Sequence, residues 1–167
     1  MTDSSLRIFC RSRLSYNMET GHLTWTAGRL KGQRAGSAGE SGRRKIKIAG
    51  KTYKEHRIIF LMVMGRFPKE QIDHIDHNPS NNKWDNLREC SNKQNSMNLP
   101  MMKTKKTSRY PRVSIHRRDQ NYRVRINKPG GGVYTKYFKS EDDAGSHARE
   151  KYIEFGYHPN HGTKIES

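Results

Sequence analysis

The fold turns on Gln71-Ile-Asp-His-Ile-Asp-His-Asn78, taken together with Asp85-Asn-Leu-Arg88 and Lys93-Gln-Asn95. Ile72–Asp76 reads as a strand, which sends Asp73 and His74 to opposite sides. Pro79-Ser-Asn-Asn82 reads as a loop and Leu87-Arg-Glu-Cys90 as a short returning strand. Asn92 to Asn98 then starts a helix that brings Asn95 against the hairpin. These residue types suit proton transfer and hard-cation binding. A neutral histidine takes a proton from water near neutral pH. Mg²⁺ needs few protein oxygens, because substrate and water supply the others, so one carboxylate and one amide carbonyl suffice. Asp76 and His77 are the nearest spare polar groups, read as hairpin-loop structure or as phosphate contacts.

Lys and Arg total 33 against 16 Asp and Glu, a net charge of +17. An excess of that size favours a polyanion, since each neutralised phosphate releases counterions. A membrane surface is the competing partner, but no basic amphipathic helix of adequate length is present. The longest apolar run, Ile58 to Met64, is far too short to span a bilayer. Met1 to Arg7 has no apolar signal-peptide core. Cys10 and Cys90 are too few and too far apart for a four-cysteine zinc site and read as free thiols of a reducing compartment. A cytoplasmic location is expected, that of the host cell if a phage encodes the chain. Hydrophobic residues make up 31%, rising with the 14 glycines to about 39%, against the usual ~45–50%. Small units fit that composition better than one large core.

Residues 1–30 read as short strand-like pieces, including Leu23-Thr-Trp-Thr26 after the turn-like Glu19-Thr-Gly21. Gly32 to Gly42 reads as an extended loop. Arg43-Arg-Lys-Ile-Lys-Ile-Ala alternates charge with Ile46 and Ile48, a half-buried strand that Gly50-Lys51 turns into a partner through Tyr53. Arg43, Arg44 and Lys45 on that strand are a candidate track for a DNA backbone, or else a solvated face. The run His56 to Gly65 is ambiguous by periodicity; Gly65 as a stop and Pro68 beyond it favour a helix. His56, at its start, reads as structural rather than as a ligand. Residues 99–107 read as a linker whose Lys103, Lys105 and Lys106 cross phosphates.

Three further strand-like runs follow, Arg112–Arg117, Tyr122–Asn127 and Val133–Lys139, with one apolar and one basic face. Ser140-Glu-Asp-Asp143 forms a capping box for a helix through Ala144, Ala148, Tyr152 and Phe155, ended by Gly156. That helix should cover the apolar face and leave the arginine face free.

His56-Arg-Ile-Ile, Gly65, Asp73-His74, Asn78-Pro, Asn81-Asn82, Asn86-Leu-Arg88 and Asn95 together resemble the HNH endonucleases, in particular the phage-type homing subgroup with a ββα-metal fold. Leu14-Ser-Tyr-Asn, Glu19-Thr-Gly and Gly50-Lys-Thr-Tyr resemble that group's leading segment, so the similarity covers about residues 14–98. The resemblance implies His74 as general base, Asp73 and Asn95 as metal ligands, and Asn86 as the middle asparagine that holds the hairpin loop by hydrogen bonds. Asn95 stands where many members have a histidine. The resulting all-oxygen pair favours Mg²⁺ or Mn²⁺, with no zinc expected.

Residues 108–157 resemble an AP2-type DNA-binding domain, through Arg112-Val-Ser-Ile-His, Tyr122-Arg-Val-Arg-Ile and Tyr137-Phe-Lys-Ser-Glu-Asp-Asp-Ala. That resemblance implies a sheet lying in the major groove, with Ser114, His116, Arg123, Arg125, Tyr134 and Lys136 on the DNA face and Arg112 at its edge. Arg118 joins them as a further DNA contact. Arginines so placed read guanine edges bidentately, each worth about 1–3 kcal/mol of discrimination.

The expected protein is α+β. It has a basic β region over 1–55, an HNH catalytic domain over 56–98, a linker over 99–107 and an AP2-like reader over 108–160. It hydrolyses double-stranded DNA at chosen sites, nicking as a monomer, with no membrane and no obligatory protein partner. Two alternatives stay open: a non-catalytic DNA-binding regulator, and a phage nuclease of relaxed specificity.

Overall fold

The N-terminal thirty residues contain a helix where strand-like pieces are expected. In the computed structural model, which describes residues 2–39, 41–99, 108–116 and 118–162, α1 spans Asp3–Arg13. Thr2 caps it, its side chain accepting the Ser5 N–H, and Asp3 lies in the positive first turn. Only Leu6 and Cys10 are buried along α1, one helical turn apart. So sparse an apolar stripe leaves little periodic signal to read.

The described residues fall into two compact units, Met1–Asn95 and Ser96–Ser167. In the first unit β1 (Leu14–Asn17) pairs antiparallel with β2 (His22–Trp25). The Gly-rich stretch that follows contributes a two-residue strand, β3 (Ser37–Ala38), to a sheet with β4 (Arg44–Ile48) and β5 (Lys51–Lys54). Ala49 and Gly50 both take positive φ, 48° and 79°, the backbone that a two-residue hairpin turn requires. Ile46 and Ile48 point into the core while Lys45 and Lys47 stay exposed. This is the half-buried alternation expected of the segment.

The ambiguous apolar run is helical. α2 (Glu55–Met64) ends at Gly65, whose φ of 77° lets its N–H close on the Leu61 carbonyl. Seven of its ten residues are buried, so α2 is the centre of the unit. Truncating Ile59 or Leu61, both at 0% exposure, to alanine is expected to cost about 2–5 kcal/mol. Behind α2 lie β6 (Gln71–His74) and β7 (Leu87–Cys90), an antiparallel pair with Asp73 opposite Arg88 and His74 opposite Leu87. The short α3 (Asn92–Ser96) follows. One hydrophobic cluster joins Leu6, Leu14, Leu23 and Ile46 to Ile58, Ile59, Ile72 and Leu87. No break in the core therefore falls at residue 55. Cys10 and Cys90 are free and buried.

The second unit contains β8 (Val113–Ile115), β9 (Tyr122–Asn127) and β10 (Val133–Phe138), in the order β10-β9-β8 and all antiparallel, followed by α4 (Glu141–Glu154). Ser140 accepts the Asp143 N–H, as a capping serine should. Val113, Val124, Ile126, Ala144, Ala148 and Tyr152 form its core. Gly145 is required there: a Cβ would come within 2.5–2.6 Å of the Tyr110 ring. Among the described residues no helix is long and apolar enough to cross a membrane.

Candidate active site

Strand alternation divides β6 into two faces. Ile72 and His74 turn toward the core, and Gln71 and Asp73 turn the other way. His74 is 4% exposed and its Nε2 lies 3.0 Å from Asn82 Oδ1. An amide oxygen only accepts, so Nε2 carries the proton and Nδ1 is the basic nitrogen of the ring. Burial is the main force lowering the His74 pKa below that of a free imidazole, with Arg43 helping; Asn82, Asp76 and Asp73 act the other way. The ring is therefore neutral at physiological pH, as proton abstraction demands. His56 stands edge-on to it, the ring centroids 5.2 Å apart. Burial, then His74 and the cations Arg43, Lys54 and Arg57, push the His56 pKa down to about 3. His56 is thus a second neutral, buried ring, wedged behind the first.

Asp73, 8% exposed, receives bonds from Arg88 Nε at 3.1 Å and Nη2 at 2.8 Å, both on Oδ2. Asn95 donates from Nδ2 to Gln71 Oε1 at 2.6 Å. Gln71 is two residues before Asp73 on the same strand, so α3 delivers Asn95 to the face of β6 that carries Asp73. With its amide nitrogen committed to Gln71, Asn95 has its carbonyl oxygen left as the atom that could meet a cation. A carboxylate and an amide carbonyl on one side of a strand form a hard-oxygen pair, which fits Mg²⁺ or Mn²⁺ completed by substrate and water. No group of three or more His, Cys, Asp or Glu clusters as an ion site among the described residues, and a two-oxygen protein set does not need one.

Asn86, 9% exposed, ties the hairpin loop. Its Oδ1 accepts the Asp76 N–H at 2.9 Å, and its Nδ2 donates to Asp76 Oδ1 at 2.9 Å and to the Asn81 carbonyl at 2.8 Å. Asp76 Oδ2 also takes a bond from Asn81 Nδ2 at 2.7 Å. Asp76 is thus loop structure, which was one of its two readings.

Two buried residues escaped sequence reasoning, Asn82 and Glu55. Asn82 is 1% exposed; besides His74, its carbonyl accepts the Tyr16 hydroxyl at 2.8 Å. Gly21 packs on the same backbone so closely that a Cβ would sit 2.5 Å from Asn82 C and Lys83 N. The turn joining β1 and β2 therefore clamps the loop behind His74. Glu55 is 0% exposed and pairs with Arg44 Nε at 2.8 Å. Burial raises the Glu55 pKa; the Arg44 guanidinium and the Asn82 amide oppose that rise.

This pair changes the reading of Arg44. Its Nη2 also donates to the Ala35 and Gly36 carbonyls, at 3.1 and 2.9 Å, so its donors are used inside the fold rather than on a phosphate. Arg43 and Lys45 remain exposed. Lys45 faces Lys54 directly across the hairpin, a like-charge juxtaposition that costs stability unless a counter-charge arrives.

In the second unit Ser114 and Tyr137 both sit opposite Arg123, and Thr135 opposite Arg125. These five share the outer face of the sheet. Tyr134 and Lys136 differ from expectation: they sit opposite Ile126 and Val124, on the side covered by α4. Tyr134 Oη lies 2.6 Å from His147 Nε2, its ring packs on Phe155, and Lys136 Nζ lies over the Phe138 ring. A shift of one residue along β10 moves every side chain to the opposite face. The glycine loop Gly130–Gly132 hides that register from the sequence. Arg112, Arg118 and Arg125 are exposed, and His116 pairs with Asp119 and stacks edge-on against Tyr137. Lys103, Lys105 and Lys106 lie outside the described residues, as does all of the expected linker but Leu99.

Residues 53–97 match the family model described as HNH endonuclease, which contains the whole β6–loop–β7–α3 arrangement. The chain thus carries an HNH endonuclease domain over those residues. It is also 35% identical, over 91 residues, to a protein of Acanthamoeba polyphaga mimivirus named as an uncharacterized HNH endonuclease. That alignment takes in 53% of this chain and 46% of the relative, so the chain spans about half the length of the curated relative it matches. No solved structure matches the chain significantly.

Proposed function

We propose that the protein is a site-specific DNA endonuclease of homing type, which nicks one strand of double-stranded DNA per binding event as a monomer. The observation that carries the reading is the division of labour on β6. A buried neutral His74 with Nε2 tied to Asn82 lies on one face, and Asp73, with Asn95 alongside through Gln71, lies on the other.

In this reading His74 Nδ1 takes the proton of the attacking water. Asp73 and Asn95 hold one Mg²⁺ or Mn²⁺ through oxygen. Such an ion, when bound, supplies charge relief at phosphorus and at the leaving 3′ oxygen. Arg88 fixes the Asp73 carboxylate, and Asn86 keeps the loop between the two strands in shape. Products with 5′-phosphate and 3′-hydroxyl follow from the resemblance to the HNH group. The three-stranded sheet of the second unit is the proposed AP2-like reader, its outer face formed by Ser114, Arg123, Arg125, Thr135 and Tyr137, with Arg112, His116 and Arg118 at its end. Arg43 and Lys45 on β4 are proposed phosphate contacts.

The test is conversion of supercoiled DNA carrying a cognate site to the nicked form, with and without Mg²⁺, by the wild type and by His74→Ala. Cleavage by the wild type alone supports the reading. Equal inertness of both on DNA that they bind would favour the non-catalytic regulator. Scattered cleavage across a genome would favour a nuclease of relaxed specificity.

A further inference from the structure

We propose that Asn82 is the positioning residue that sets the tautomer of His74. The proposal rests on the reading of His74 as the base.

A neutral imidazole has two tautomers, and only the one protonated at Nε2 presents Nδ1 as a base. Asn82 Oδ1 lies 3.0 Å from His74 Nε2, which selects that tautomer only if the oxygen, and not the amide NH₂, faces the ring. The oxygen and nitrogen of an amide are alike in shape; here the oxygen is the end turned to the ring, and at 1% exposure the amide has no water to turn toward instead.

The backbone of Asn82 is fixed by the Tyr16 hydroxyl and the close approach of Gly21. The chain of influence runs from Tyr16 and Gly21 through Asn82 to His74. It links the N-terminal β region to the base through groups that never touch substrate.

The experiment uses the full chain labelled with ¹⁵N-histidine, and records ring-nitrogen shifts at about pH 8, above the free imidazole value of about 6.5. The wild type is expected to show His74 protonated at Nε2. Asn82→Leu, which keeps the volume and removes the acceptor, is expected to lose that preference and to lower kcat by about 10²-fold, with the DNA dissociation constant within about twofold. Asn82→Asp keeps an acceptor for Nε2–H and is expected to retain the tautomer and recover part of the rate. Thermal melts screen out misfolded variants, and Asn82→Asp carries the test if Asn82→Leu does not fold.

A wild-type ring protonated at Nδ1, or an Asn82→Leu protein with unchanged tautomer and kcat, would overturn the proposal. If the wild type does not cleave DNA at all, the endonuclease reading fails while the ring-nitrogen spectra still decide the positioning role. The two failures are therefore separable.

Discussion

The two units place their polar side chains differently. Met1–Asn95 encloses Glu55, His56, Asp73, His74, Asn82 and Asn86 beside its apolar core, each 9% exposed or less. The unit Ser96–Ser167 places aliphatic and aromatic groups between sheet and α4 and leaves Arg125, Thr135 and Tyr137 outside. Burying a polar group costs free energy unless a partner satisfies it. The first unit meets that cost with a network of named partners, and gains in return a neutral imidazole at His74 and a fixed carboxylate at Asp73. The second buries fewer, Asn98, Ser108 and His161 among its described residues, and leaves the polar groups of its outer sheet face in water. On the proposed reading, a site for chemistry and a surface for recognition differ in where desolvation occurs: during folding in one, during binding in the other.

The largest test of that contrast is kinetic. His74→Ala should lower kcat by about 10²–10⁴-fold with DNA affinity retained, whereas Arg125→Ala should weaken affinity and site choice with little change in the rate of bound enzyme. Gel-shift titrations and single-turnover cleavage measure both, and a swap of the two phenotypes would break the division of labour.

Stability gives the next largest difference. Arg44→Ala leaves Glu55 buried and uncompensated, which should cost about 3–5 kcal/mol in urea unfolding. Arg125→Ala, on an exposed face, should stay within about 0.5 kcal/mol. Equal effects would mean that Arg44 is a surface charge after all.

A third test is pH. The folded-state pKa of His56 lies at about 3, below its unfolded value, so its contribution is complete above about pH 6.5 and is lost as pH falls from there toward 3. The unfolding free energy of the first unit should fall by about 1.4 kcal/mol per pH unit in that window for this proton alone. His74, lowered in the same direction, adds to the loss. Glu55, raised by burial, offsets part of it at the acid end. The second unit has no comparable buried pair among its described residues. His56→Gln should flatten the slope by one proton, and an unchanged slope would assign the acid sensitivity elsewhere.

The smallest effect separates the faces of the second unit's sheet. Tyr137→Ala and Arg123→Ala should weaken DNA binding, and the latter should reduce the slope of log K against log salt by about 1 if Arg123 meets a phosphate. Lys136→Ala, on the helix side, should leave affinity nearly unchanged. A large loss at Lys136 would show that the outer face is not the reading face.

Much of this protein is legible in its sequence, because its signals are local. Gly65 stopped a helix, Gly50 marked a hairpin whose turn falls one residue earlier than read, at Ala49-Gly50, Ser140 with Asp143 opened α4, and Leu87–Cys90 formed the returning strand. Each of these is decided within a few residues by φ preferences or capping. The Asp73-His74 pair, with Asn86 and Asn95 at their spacings, is the proposed catalytic set, and the resemblance to the HNH group is what points to it. The rest depends on distant partners. That His74 is backed by Asn82 and that Arg44 turns inward toward Ala35, Gly36 and Glu55 are outcomes of packing, as is the union of both halves of Met1–Asn95 in one core. The register of β10, which sends Tyr134 and Lys136 to the helix side, is set by pairing with β9 across a glycine loop. Local periodicity specifies what a residue can do, and burial against remote neighbours decides which of those things it does.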